Sequence, residues 1–114
     1  MKEIIIWHNP RCSKSRRALS LLEKNGVEPV VVEYLEEPPR MAELRELAEK
    51  LGKGPQDFIR KSEKLFKELE LKGADDTTLF AAMAANPILI ERPVVFANGK
   101  AVLGRPPEGV LEII

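Results

Sequence analysis

Sulfur and imidazole are scarce in this chain, whose 114 residues include one Cys and one His. A lone thiol cannot close an internal disulfide or form a Cys-x-x-Cys pair, so any disulfide must involve a second molecule. One His beside one Cys also falls short of a clustered ligand set, and no metal is expected. Net charge is missing too: Lys plus Arg number 18, and Asp plus Glu number 18. That balance argues against general attraction to nucleic acid or to an acidic membrane, so any cationic function must be local. No apolar run approaches a membrane span, and the opening Met1-Lys2-Glu3 with its short apolar run to Trp7 is too brief for a signal peptide. A reducing cytoplasm is the expected compartment. Repeats, low-complexity tracts and flexible linkers are absent as well.

What is present fits one domain, 1–114, large enough to bury a core without metal or disulfide support. Residues 3–7 and 29–34 read as strands. The continuous Val30-Val31-Val32 run suits a strand covered on both faces. Between them, Ala18, Leu19 and Leu22 recur at helical spacing over 14–25, and Asn25-Gly26 is a stop signal. This is a βαβ unit with parallel strands. After Pro38-Pro39 the pattern turns helical: Met41, Leu44, Leu47, Ala48 and Leu51 share a face that Gly52 closes. A helical turn at Pro55 to Phe58 and a short helix around Leu65, Phe66 and Leu69 follow. Asp75 or Asp76 then caps a helix through Asn86 with Leu79, Phe80 and Met83 inward. Asn98-Gly99 between Val94-Val95-Phe96 and Ala101-Val102-Leu103 marks an antiparallel hairpin. Pro106-Pro107 opens a last helix. The order βαβ, helices, ββα gives an α/β, thioredoxin-like domain: a mixed four-stranded sheet with a helical insertion at about 40–86. Fold alone does not establish function.

Chemistry points to Cys12, at the junction of the first strand and the first helix, in His8-Asn9-Pro10-Arg11-Cys12-Ser13-Lys14-Ser15-Arg16. Unpaired N–H groups and the positive end of the helix dipole favour an ionised, nucleophilic thiol there, and Arg11, Lys14 and Arg16 add positive charge. His8 has three readings: a cation acting on the thiol, a hydrogen-bonding loop anchor, or a residue ending the strand. Ser15 stands where two-cysteine relatives of this layout keep a resolving sulfur. Its hydroxyl can donate to a thiolate or satisfy backbone groups, but cannot resolve a disulfide.

His8-Asn9-Pro10-x-Cys12-x-x-Ser15-Arg16, Tyr34-Leu35-Glu36 before Pro38, Arg60-Lys61 with a later Glu68-Leu69, Asn86 through Pro93, and Gly104-Arg105-Pro106 occur in order along nearly the whole chain. In these motifs the chain resembles the ArsC family, the arsenate reductases that use glutathione and glutaredoxin. The resemblance implies that Cys12 is the nucleophile and that Arg60, Arg92 and Arg105 bind the oxyanion, a role suited to planar guanidiniums. Read singly, Arg60 can instead pair with Glu63 or Glu68 on a solvated face. The resemblance also implies a cis-proline at Pro93. Arsenate or a related oxyanion, glutathione as co-substrate, and glutaredoxin are the implied partners, with no tightly bound cofactor. Two other readings stand beside it: a Spx-like regulator binding RNA polymerase, whose redox-sensing members use a CxxC switch absent here, and a glutathione-dependent thiol oxidoreductase.

Overall fold

Strand β1 (Ile5–Trp7) leads through a short loop into helix α1 (Ser13–Lys24), which returns the chain to β2 (Val30–Val32), parallel to β1. These elements come from a computed structural model that describes residues 3–104 and 106–114. Helix α1 ends as its sequence requires: Gly26 takes φ +77°, and the Val27 N–H donates back to the Leu22 carbonyl at 3.0 Å. Late in the chain, β3 (Val94–Ala97) and β4 (Lys100–Leu103) form the hairpin, with both turn residues, Asn98 and Gly99, at positive φ. Strand β3 runs antiparallel to β1, so the sheet order is β2-β1-β3-β4. The fold is thioredoxin-like α/β with a mixed four-stranded sheet, as the element order implies.

The chain groups into two compact units, one of Met1–Glu37 with Arg92–Ile114 and the other of Pro38–Glu91. In the first, Ile6 and Val95 are paired neighbours on β1 and β3. With Ala18, Leu22 and Val110 they form a fully buried cluster. Each large member contributes about 1.5–3 kcal/mol by leaving water. Gly104 belongs to this packing because a Cβ there would lie 2.5 Å from Pro93 Cγ, and its N–H donates to the Pro93 carbonyl at 2.8 Å.

The second unit is helical. Helix α2 (Met41–Leu51) buries Leu44 and Leu47 and ends at Gly52 with φ +68°. A 3-10 turn at Pro55–Asp57 and helix α3 (Lys64–Glu68) follow. Helix α4 (Asp76–Ala85) is capped by Asp75, whose carboxylate accepts from the Thr78 N–H at 2.8 Å, and it buries Leu79, Phe80 and Met83. The Asp75 carboxyl is held below its ordinary pKa by hydrogen bonding from the Thr78 side chain and then from the Thr78 N–H. A second 3-10 turn, Pro87–Leu89, ends the unit's helical part. The insertion was placed at about 40–86; this unit occupies Pro38–Glu91.

One expectation changes. Strand β2 is not covered on both faces: it sits at the sheet edge, and Val30 and Val31 are 45% and 44% exposed. A valine run follows from parallel pairing and strand propensity without requiring full burial. The last helix, opened by the proline pair as expected, is a 3-10 helix, Pro107–Glu112. Its six residues contain Gly109, whose backbone entropy weakens helix formation.

Candidate active-site loop and the ionic cluster at Arg60

The loop between β1 and α1 is tied at every step. His8 N–H donates to the Val32 carbonyl on β2 at 2.8 Å, which anchors the loop where the parallel strands end. Asn9 Oδ1 accepts from the Arg11 N–H at 3.0 Å, the side-chain turn that Asn before Pro favours. Cys12 N–H donates to the Asn9 carbonyl at 3.0 Å, and Arg16 reaches back to the Pro10 carbonyl through Nη1 at 2.9 Å.

Cys12 therefore arrives at the N-cap of α1 with extended backbone, φ −96° and ψ 122°. Its carbonyl accepts the first helical bond, from Arg16 N–H at 3.0 Å. The thiol is partly exposed and makes no capping hydrogen bond, and the first turn carries no acidic residue. First-turn N–H groups have no partner inside their own helix. A sulfur at this place meets their partial positive charge and remains open to a reactant.

Ser15 lies one turn further and is fully buried. Its Oγ accepts from the Asn9 N–H at 3.0 Å and sits 2.7 Å from His8 Nδ1. Burial pushes the His8 pKa below 6.5, partly opposed by the nearby Glu33 carboxylate and assisted by Arg16. A neutral imidazole with its proton on Nε2 fits these contacts: Ser15 Oγ–H donates to Nδ1 while Oγ accepts from Asn9. Of the readings left open by the sequence, this geometry is that of a loop anchor. Ser15 uses its hydrogen bonds on His8 and Asn9.

Arg92 and Pro93 lead into β3, and the peptide bond between them is cis. Among the described residues, buried Arg92 Nε has no hydrogen-bond partner. Arg60 Nε shares this state. Arg105 lies outside the described residues.

Arg60 belongs to the helical unit, in a two-residue bridge where Ile59 pairs with Ile90. Arg60 N–H donates to the Leu89 carbonyl at 2.6 Å and Glu91 N–H to the Phe58 carbonyl at 2.8 Å. That bridge brings the Glu91 carboxylate within 3.6 Å of Arg60 Nε, while Glu63, three residues on, reaches Nη1 at 2.9 Å. Of the two pairings the sequence left open, that with Glu63 forms and, among the described residues, that with Glu68 does not. Glu68 faces Lys64 instead, and the Arg60 side chain is only 18% exposed. Glu91 had no signal as a partner of Arg60, because a contact across so long a sequence separation follows from the bridge and from no helical or strand period. Asn9 and Arg16 as loop holders were legible only in part, from the Asn-Pro pair and the basic first turn.

Among the described residues, no group of His, Cys, Asp and Glu is placed to hold a metal, and no helix is long and apolar enough to cross a membrane. A model of the ArsC family matches residues 7–113. The chain belongs to the ArsC family. An ArsC relative from Neisseria meningitidis serogroup A, called an arsenate reductase, is 48% identical over the full length of both chains. An uncharacterized protein of Escherichia coli, YfgD, is 53% identical, covering 99% of this chain and 98% of its own. Among solved structures, an arsenate reductase from Vibrio cholerae superposes with a TM-score of 0.96 at 50% identity, covering 98% of each chain.

Proposed function

We propose that this protein reduces arsenate to arsenite, with Cys12 as nucleophile and glutathione and glutaredoxin as electron donors. The observation that carries the reading is a partly exposed thiol at a helix N-cap, free of any capping bond and without acidic neighbours in the first turn. Similarity to proteins called arsenate reductases supports the choice of oxyanion. Arg60, Arg92 and Arg105 are assigned to the arsenate oxygens by their motifs, and the unpartnered Nε of Arg92 supports its share.

The chemistry balances as follows. The Cys12 thiolate attacks arsenic, an S–As bond forms, and one arsenate oxygen leaves as water after taking up protons. Glutathione displaces a second oxygen in the same manner. A glutaredoxin thiolate then attacks the glutathione sulfur. The electron pair of that S–As bond stays on arsenic, which passes from As(V) to As(III), while a glutaredoxin–glutathione disulfide departs. Water finally releases arsenite and regenerates Cys12. A single cysteine suffices because the other two sulfurs come from the donors. Arginines offset the charge that a thiolate meets on approaching an anion. His8 and Ser15 act by holding the loop that presents Cys12. Thiol exchange of this kind needs a reducing compartment, and the cytoplasm is the proposed location.

The test is arsenate-dependent NADPH oxidation with glutathione, glutaredoxin and glutathione reductase supplied. Wild-type protein should support turnover, and Cys12→Ser should fall to the no-enzyme rate with an unchanged circular dichroism spectrum. Turnover retained by the Ser variant would overturn the nucleophile assignment. No turnover by the wild type would overturn the function.

A further inference from the structure

Two carboxylates face Arg60. Its guanidinium carries one positive charge, yet both Glu63 and Glu91 lie against it, with side-chain exposures of 25% and 16%. Two carboxylates thus stand against a residue whose assigned task is to bind an anion. One carboxylate would satisfy a structural arginine; a second opposes an incoming oxyanion.

The two carboxylates are held differently. Glu91 is fixed by the backbone bridge beside Arg60 and lies 3.6 Å from Nε, which has no hydrogen-bond partner among the described residues. Glu63 follows a turn in which its N–H donates to the Arg60 carbonyl at 3.2 Å, just before α3, and it hydrogen-bonds Nη1 at 2.9 Å. A terminal guanidinium nitrogen is what an oxyanion engages. Glu63 already takes one N–H of such a nitrogen.

We propose that Glu63 is a positioning residue that competes with the oxyanion for Arg60 Nη1, so that its charge sets the affinity for arsenate without taking part in the chemical steps. This rests on the reading of Arg60 as an oxyanion-binding residue. An anion at Nη1 meets a carboxylate already bonded to one of that nitrogen's two N–H groups, and the repulsion between the like charges raises KM. The thiol step at Cys12 does not depend on Glu63, so kcat is left alone.

The experiment compares KM and kcat for arsenate in wild type, Glu63→Gln, Glu63→Asp and Glu68→Gln. Glu63→Gln keeps an acceptor oxygen and removes the charge; its KM should fall about three- to tenfold with kcat within about twofold. Glu63→Asp restores the charge and should return KM toward the wild-type value. Glu68→Gln removes a charge that faces Lys64 and should leave KM unchanged. An unchanged or raised KM in Glu63→Gln with the fold intact overturns the proposal, as does an equal fall in Glu68→Gln. If the wild type binds arsenate but does not turn it over, the functional reading fails separately. Calorimetric arsenate binding then decides this one: tighter binding by Glu63→Gln supports it, and equal or absent binding overturns it.

Discussion

The two units bury polar groups by opposite means. In the sheet unit the buried polar pair is His8 with Ser15, a neutral contact closed by a backbone N–H from Asn9. In the helical unit it is Arg60 between Glu63 and Glu91, a charged cluster on a short backbone bridge. A neutral network costs little to desolvate and holds one geometry, which suits a loop that must present a sulfur. A charged cluster costs more to bury but responds to the charge of what approaches it. The difference separates a part that holds shape from a part that responds to charge.

The comparison presumes that apolar burial is alike in both units. Leu22→Ala and Leu47→Ala, each at a fully buried site, should therefore each cost roughly 2–5 kcal/mol in urea unfolding. If one of them is near neutral, the polar sites are not being compared on equal footing.

Next in size is Arg60→Met, which removes the guanidinium from two partly buried carboxylates and should cost about 2 kcal/mol at low salt. Raising ionic strength to about 1 M should shrink that cost, because like charges are then screened. Ser15→Ala should cost about 1–2 kcal/mol by leaving the Asn9 N–H and His8 Nδ1 without a partner, with no salt dependence. Equal salt responses of the two variants in denaturation would erase the distinction between the units.

The smallest effect is in pH. Folded His8 has its pKa lowered from 6.5 by burial, so the unfolded chain takes up the proton first as pH falls. The stability tied to the neutral ring is fully present above pH 6.5 and is lost as pH falls through the lowered value. Urea midpoints measured from pH 7.5 down to about 5 should drop less steeply for His8→Asn than for wild type. Parallel slopes would mean that His8 is not buried in its neutral form.

Local pattern explains why so much of the fold is legible in the chain. The helix periods of α1, α2 and α4, the stop at Gly26 and the Asn98-Gly99 turn are each decided by neighbours within a few residues. Sequence motifs likewise marked Cys12, because a strand–loop–helix junction is a local event. Where the pattern misled, the deciding contact was distant: Val30-Val31-Val32 is compatible with either a central or an edge strand, and only sheet order settled it.

What the sequence determined by itself is a thioredoxin-like α/β chain with one sulfur at the mouth of its first helix, since periodicity, turn chemistry and the cysteine count all act over short range. Tertiary structure alone decided that Glu91 reaches Arg60. That contact depends on how the distant segments around Ile59 and Ile90 align, and no spacing along the chain encodes that alignment.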